Sequence, residues 1–340
     1  MDSGSGFMNS RAKFDLRIGD RKIRLGERTL IMGVLNVTPD SFSDGGRYFK
    51  PQRAIAHGLE MARLGADWID VGGESTRPGS QLVSATEELR RVIPVIQGLH
   101  RKLPSLPISI DTSKAVVAEE AVQAGATILN DVSGLRFDAE LAEVARRHRT
   151  PLILTHMRGR PATMQHLPFA KSVWRSVRNG LAWSISSALR AGVYRSQIIV
   201  DPGLGFGKTR RQNFEILAHL ERLADFRLPV LVGTSRKSFV QAIVAGEGWA
   251  QSKVKRQPSG TRQLTANSGY APPLDYWALM TKAVGSGPAR EGRAAQYLNP
   301  GDAAAVAASI LGGAHIVRVH DVSTMVPAVR IADAILSAGA

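Results

Sequence analysis

The chain has 340 residues, no cysteine, 44% hydrophobic and 21% charged residues, and a net charge of +15. It is long enough for a large core, since a domain of roughly 300 residues hides about 75% of its unfolded surface, and too apolar to be disordered or fibrous. Without cysteine there are no disulfides, thiolate nucleophiles, Cys-ligated zinc or Fe–S clusters, and a reducing compartment fits.

The N-terminal MDSGSGFMNSRAKF lacks the apolar centre of a signal peptide. The longest apolar-leaning stretch, Ala303 to Val317, contains Gly312, Gly313 and His315 and falls short of the roughly 18 residues of a membrane span. A soluble, cytoplasmic protein is expected. The excess of Lys and Arg over Asp and Glu favours anionic partners. No zinc finger or RNP motif is visible, so a solvated basic surface or a small anionic substrate fits better than nucleic acid.

Residues 1–28 read as a polar tail followed by Phe14–Leu25, whose apolar positions alternate around Gly19-Asp20. That predicts a small β-hairpin, placed to plug the bottom of a barrel. From residue 29 to 340 the chain reads as one domain. Eight short runs rich in Val and Ile predict strands: Thr29–Val37, Trp68–Gly73, Pro107–Asp111, Ile128–Asp131, Pro151–His156, Ile198–Asp201, Pro229–Gly233 and Ile316–His320. Runs apolar on both faces imply a parallel sheet. Helical patterns fill the gaps at Pro51–Leu64, Ser84–Leu99, Ala115–Ala124, Ala139–His148, Ser172–Ala191, Arg211–Phe226, Ala303–Leu311 and Thr324–Ser337. Eightfold alternation is the chain order of a (β/α)₈ TIM barrel, with a doubly wound sheet as its rival. Residues 246–300 form a long Gly- and Pro-rich insertion after strand 7, read either as a mobile surface loop or, from its aromatic anchors, as a flap on the barrel rim centred on Pro272–Lys282.

Polar residues cluster at nearly every strand end, where a barrel carries its active site. They include Asn36, Thr76-Arg77-Pro78, Asp111, Asn130, His156, Asp201, Phe206, Ser235, Lys237, Arg318 and His320. Any one could be a turn or a cap; so many together point to a site. Gly207-Lys208-Thr209 lacks the first glycine of a phosphate-binding P-loop, Gly233-Thr-Ser235 lacks the closing glycine of a nucleophile elbow, and no HExxH motif occurs. Two carboxylates and an amide, Asp111, Asp201 and Asn130, suit a ligand edge rich in N–H donors such as an aminopyrimidinone. Lys237 adds a donor for a ring carbonyl. Arg318, His320 and Asn36 suit a di-anionic leaving group and Mg²⁺, which prefers oxygen ligands and substrate phosphates.

On NVTPDSFSDGG at 36–46, GGESTRPGS at 72–80, SIDTSK at 109–114, NDVSG at 130–134, DPGLGFGK at 201–208, SRKSF at 235–239 and RVHDV at 318–322, the sequence resembles the dihydropteroate synthases of folate synthesis. The resemblance runs from about Thr29 to Ala334 with one interruption. It implies condensation of 6-hydroxymethyl-7,8-dihydropterin diphosphate with p-aminobenzoate, releasing pyrophosphate, by a Mg²⁺-assisted homodimer. It also implies a pterin site of Asp111, Asn130, Asp201 and Lys237, and a pyrophosphate and Mg²⁺ site of Asn36, Arg318 and His320. Thr76, Arg77, Pro78, Phe206 and Ser235 would form the aminobenzoate side, which sulfonamides also occupy in that family. Lys237, Arg318 and His320 would be the catalytic residues. A methyltetrahydrofolate methyltransferase barrel would need neither the SRK segment nor a pyrophosphate site, and a non-catalytic pterin- or nucleic-acid-binding homologue would not keep these residues intact. Against the family pattern, about 55 residues follow SRKSF before a helix expected to open at Gly301-Asp302, with Asp302 in the capping role.

Overall fold

The computed structural model describes residues 11–38, 51–76, 80, 82–164, 169–246 and 289–339, with backbone alone over 289–299. Arg77 and Pro78, residues 39–50 and the flap expected over Pro272–Lys282 lie outside the described residues. The hairpin forms as expected. Strands β1 (Phe14–Ile18) and β2 (Arg21–Leu25) pair antiparallel, with Phe14 opposite Leu25.

Eight further strands follow: β3 (Leu30–Asn36), β4 (Trp68–Gly72), β5 (Ile108–Asp111), β6 (Ile128–Asp131), β7 (Leu152–Thr155), β8 (Ile198–Asp201), β9 (Leu231–Gly233) and β10 (Ile316–Val319). All pair in parallel, in the order β8-β7-β6-β5-β4-β3-β10-β9. A parallel bridge from Val200 to Val230 brings the two ends together, so the sheet curls into a barrel and the doubly wound alternative is excluded. The helices are α1 (Pro51–Arg63), α2 (Ala85–Lys102), α3 (Ala115–Gln123), α4 (Leu141–His148), α5 (Val173–Arg190), α6 (Arg210–Ala218), α7 (Ser238–Val244), α8 (Ala289–Leu311) and α9 (Val322–Ala338). Side chains at Ser84, Ser172, Thr209 and Asp321 accept the orphan N–H groups that open α2, α5, α6 and α9. Among the described residues no helix is long and apolar enough to cross a membrane.

Alternation along each strand sorts the side chains. One set faces the helices: Ile31, Leu35, Ile69, Val71, Ile110, Leu129, Leu154, Val200, Val232 and Val317 join the main core. The other set faces the barrel axis. At its lower end Met32, Trp68, Ile128, Ile153, Ile199, Leu231 and Ile316 pack on Leu16, Ile18 and Leu25 of the hairpin, which therefore plugs the bottom. His315 fastens the plug: its Nδ1 accepts from the Val230 N–H at 3.1 Å and its Nε2 donates to the Ala12 carbonyl at 2.9 Å.

Two expected helices differ. The stretch Arg211–Phe226 divides into α6 and a 3₁₀ segment, Leu220–Phe226, because His219 leaves helical geometry at φ −134°. Leu220 and Leu223 are both buried, and their three-residue spacing matches the 3₁₀ period. The helix expected to open at Gly301-Asp302 runs from Ala289 instead. Asp302 lies inside it and caps nothing there; its Oδ2 accepts from Ser235 Oγ at 3.2 Å and from the Arg236 N–H at 2.9 Å.

Candidate active site

On four strands, two residues above the apolar position of the barrel interior, the inward set turns polar. Trp68 is followed by Asp70, Ile128 by Asn130, Ile199 by Asp201, and Ile316 by Arg318. The parallel register sets Asp111 beside Gly72 and Asn130, and Asp201 beside Thr155. Asp70, Asp111, Asn130 and Asp201 are all buried.

Arg318 spans this layer. Its Nε donates to Asp70 Oδ2 at 2.6 Å and its Nη2 to Asp111 Oδ2 at 2.7 Å. Asn130 Nδ2 donates to the same Asp70 oxygen at 3.1 Å. Asp201 Oδ1 accepts from the Gly203 N–H at 2.7 Å. Burial pushes the Asp111 carboxyl upward, against the pull of Arg318 and with the push of Asp70. The Asp201 carboxyl rises for the same first reason, its hydrogen bond to Gly203 opposing. Burial alone would lower the Arg318 guanidinium, but Asp70 and Asp111 outweigh it and raise it. Burial and the charge of Arg318 lower the Lys237 ammonium to about 8. Carboxylates above their normal range beside an amine below its own mark a site where charge is poised for a ligand.

The loop after β8 presents the aromatic wall. Gly203 stands at φ +66°, and a Cβ there would lie 2.0 Å from the His156 carbonyl oxygen, so no other residue fits. The buried amine of Lys208 donates to the carbonyls of His156, Gly203 and Phe206, and Asn213 Oδ1 accepts from the Gly205 N–H. So held, Phe206 offers its ring to Lys237, whose Nζ lies 4.3 Å from the ring centroid.

The turn after β9 is fixed from outside the barrel. Arg236 sits at φ +57°, an unfavourable conformation for a non-glycine residue, and its N–H is held by Asp302. Ser235 is buried, and its hydroxyl lies 3.3 Å from both the N–H and the Nδ1 of His320.

With this geometry in view, comparison with known proteins is decisive. Residues 32–267 match the family model described as "Pterin binding enzyme". A dihydropteroate synthase of Synechocystis sp. is 40% identical over 320 residues, 94% of each chain. The chain belongs to the dihydropteroate synthases. Among solved members, the Yersinia pestis dihydropteroate synthase with a sulfonamide drug complex superposes with a TM-score of 0.75 at 34% identity, covering 95% of this chain and 100% of that one. The Xanthomonas albilineans dihydropteroate synthase in complex with 7,8-dihydropteroate gives a TM-score of 0.70 at 34% identity, covering 94% of this chain and 98% of that one.

Within this dihydropteroate synthase fold, Asp111, Asn130, Asp201, Lys237 and Arg318 converge on the barrel mouth. Thr76 lines a cavity of about 300 Å³ together with Asp111, Glu74, Lys114, Phe137 and Arg160. Asn36 and His320 line a second cavity of about 620 Å³ with Arg53, His57 and Arg236. Asp70 was not among the residues expected from sequence, nor was the cluster in which Lys114 Nζ reaches both Glu74 and the fully buried Glu88, the latter at 2.5 Å. Asp70 carried a signal nonetheless: a carboxylate inside the apolar run WIDVG must find a cation or donors.

Proposed function

We infer that the pterin ring of the diphosphate substrate binds on Asp111, Asn130, Asp201 and Lys237, with its diphosphate toward Asn36, Arg318 and His320. The observation that carries the reading is the inward polar layer itself, in which the acceptors Asp70, Asp111, Asn130 and Asp201 stand beside the cations Lys237 and Arg318 above an apolar lower barrel. Acceptors on Asp111, Asp201 and Asn130 answer the N–H groups of an aminopyrimidinone edge, and Lys237 answers its carbonyl. Arg318 uses Nε and Nη2 on the two aspartates and makes no Nη1 hydrogen bond among the described residues, which leaves that edge for a diphosphate oxygen.

The reaction follows from this placement. The C–O bond to the diphosphate breaks, the pterin ring spreads the positive charge of the methylene carbon, and the neutral arylamine nitrogen attacks that carbon and then loses a proton. No protein nucleophile is needed. The side chains orient the two reactants and stabilise the charge that develops on the departing pyrophosphate. Lys237, Arg318 and His320 are the groups assigned to that work. Mg²⁺ fits as a partner of the diphosphate, whose charge it would neutralise. No cluster of three ligating His, Asp or Glu side chains occurs among the described residues, so Asn36 would be its protein ligand and phosphate oxygens and water the rest.

The aminobenzoate is assigned to Thr76, Arg77, Pro78, Phe206 and Ser235, the last in contact with His320. The relatives named above carry a sulfonamide and 7,8-dihydropteroate, which supports a site with room for both halves of the product. A homodimer in the cytoplasm completes the reading. Pyrophosphate release in the presence of both substrates tests it. Release that needs both is expected; release without p-aminobenzoate, or none at all, overturns it.

A further inference from the structure

Asp70 sits in β4 between Ile69 and Val71, facing the barrel axis and fully buried. Gly72, the next inward position, has no side chain, and a Cβ there would stand 3.5 Å from Asp111 Cβ. One oxygen, Oδ2, accepts from both Arg318 Nε and Asn130 Nδ2, while Oδ1 is buried with no hydrogen-bond partner.

Two consequences follow from the chemistry of the partners. An asparagine amide has a donor end and an acceptor end. A carboxylate oxygen takes only the donor end, so Asn130 must turn its carbonyl away from Asp70. A guanidinium is a rigid plane. Held at Nε by Asp70 and at Nη2 by Asp111, it has no freedom left to swing its remaining edge.

We propose that Asp70 is a positioning residue that makes Asn130 an acceptor toward the pterin ring and aims Arg318 at the diphosphate, so that one buried carboxylate serves both halves of the substrate. The proposal rests on the site assignment above. It gives Asp70 no contact with substrate. Its effect reaches the ring through Asn130 and the leaving group through Arg318, two routes that can be separated.

The test is calorimetry on the full chain with two probes, 6-hydroxymethylpterin for the ring and inorganic pyrophosphate with Mg²⁺ for the leaving group. Asp70→Asn is expected to weaken each probe roughly tenfold, the size of one buried charge-assisted hydrogen bond. Double-mutant cycles then divide the routes. Asn130→Ala added to Asp70→Asn should cost no further pterin affinity, and Arg318→Ala added to it should cost no further pyrophosphate affinity. The crossed pair of Asn130 with pyrophosphate should add independently. Additive cycles throughout, or unchanged binding of both probes by Asp70→Asn, overturn the proposal. Should Asp70→Asn not fold, Asp70→Ser, small enough to admit water, is expected to give the same pattern; failure of both to fold assigns Asp70 to stability alone and also overturns it. A parent protein that binds neither probe refutes the site assignment itself, a result distinct from the others.

Discussion

Raising the pH tests Lys237 most directly. Burial, with Arg318 beside it, lowers its ammonium to about 8, while Asp201 and Asp111 pull the other way. With that midpoint the amine is about 90% charged at pH 7 and about 9% charged at pH 9, a tenfold drop worth about 1.4 kcal/mol. If the charged form donates to the ring carbonyl, affinity for 6-hydroxymethylpterin falls about tenfold across those two units of pH. Lys237→Arg stays charged well above this range, so its own curve reports only the titration of the ligand and of other groups. The ratio of the two curves, measured by calorimetry, isolates Lys237. A ratio that stays level from pH 7 to about pH 11, past the ordinary lysine value, refutes a role for this charge in ring binding. A fall centred near the ordinary lysine value of about 10.4 would keep the role and refute the depressed midpoint.

Asp111→Asn or Asp201→Asn sets a donor against a donor, and each should weaken the pterin diphosphate by roughly 5- to 150-fold, the equivalent of about 1–3 kcal/mol; titration that shows unchanged binding in both removes them from the pocket. Arg318→Ala should bind pyrophosphate more weakly than the parent and lower turnover, and an excess of chelator should weaken diphosphate binding; full activity under chelation contradicts the Mg²⁺ assignment. Acid should loosen the hairpin plug, because burial lowers His315 to about 4. The folded value lies below the unfolded one of about 6.5, so the stability is fully present above the latter and is lost as pH falls through about 4, up to about 3 kcal/mol. Urea unfolding of the parent and of His315→Gln across that window checks this; parallel losses in both would clear His315 of the effect.

Much of the barrel was legible because its strands are short apolar runs and its helices are amphipathic, two periods that differ clearly. The places where the reading slipped share a cause. Arg211–Phe226 has unbroken apolar spacing, and nothing local in the sequence marks His219 as the point where the turn tightens. Asp302 follows Pro300-Gly301, which reads as a helix start with an acidic cap. Its actual partners are Ser235 and the Arg236 N–H, 66 and more residues back in the chain. A side chain drawn to a distant turn carries the same letter as one drawn to its own helix, and only tertiary packing separates them.

The site was legible for a different reason, and Asp70 shows how far that reason extends. Residues just beyond strand ends stand out because polarity interrupts the apolar pattern there. Within a strand, parity has to be used as well. In WIDVG, Trp68, Asp70 and Gly72 share one face and Ile69 and Val71 the other. Trp68 belongs to the plug layer, so Asp70 must point to the barrel axis, one layer above. A carboxylate there needs a cation on the same axis. Applied to β10, the same parity puts Ile316 in the plug layer and Arg318 above it, level with Asp70. The pair found at 2.6 Å therefore follows from alternation and the cost of a buried charge. The inward column of a parallel barrel is in this way a sequence-readable object. Its lower rows make the core, and its upper rows make the chemistry.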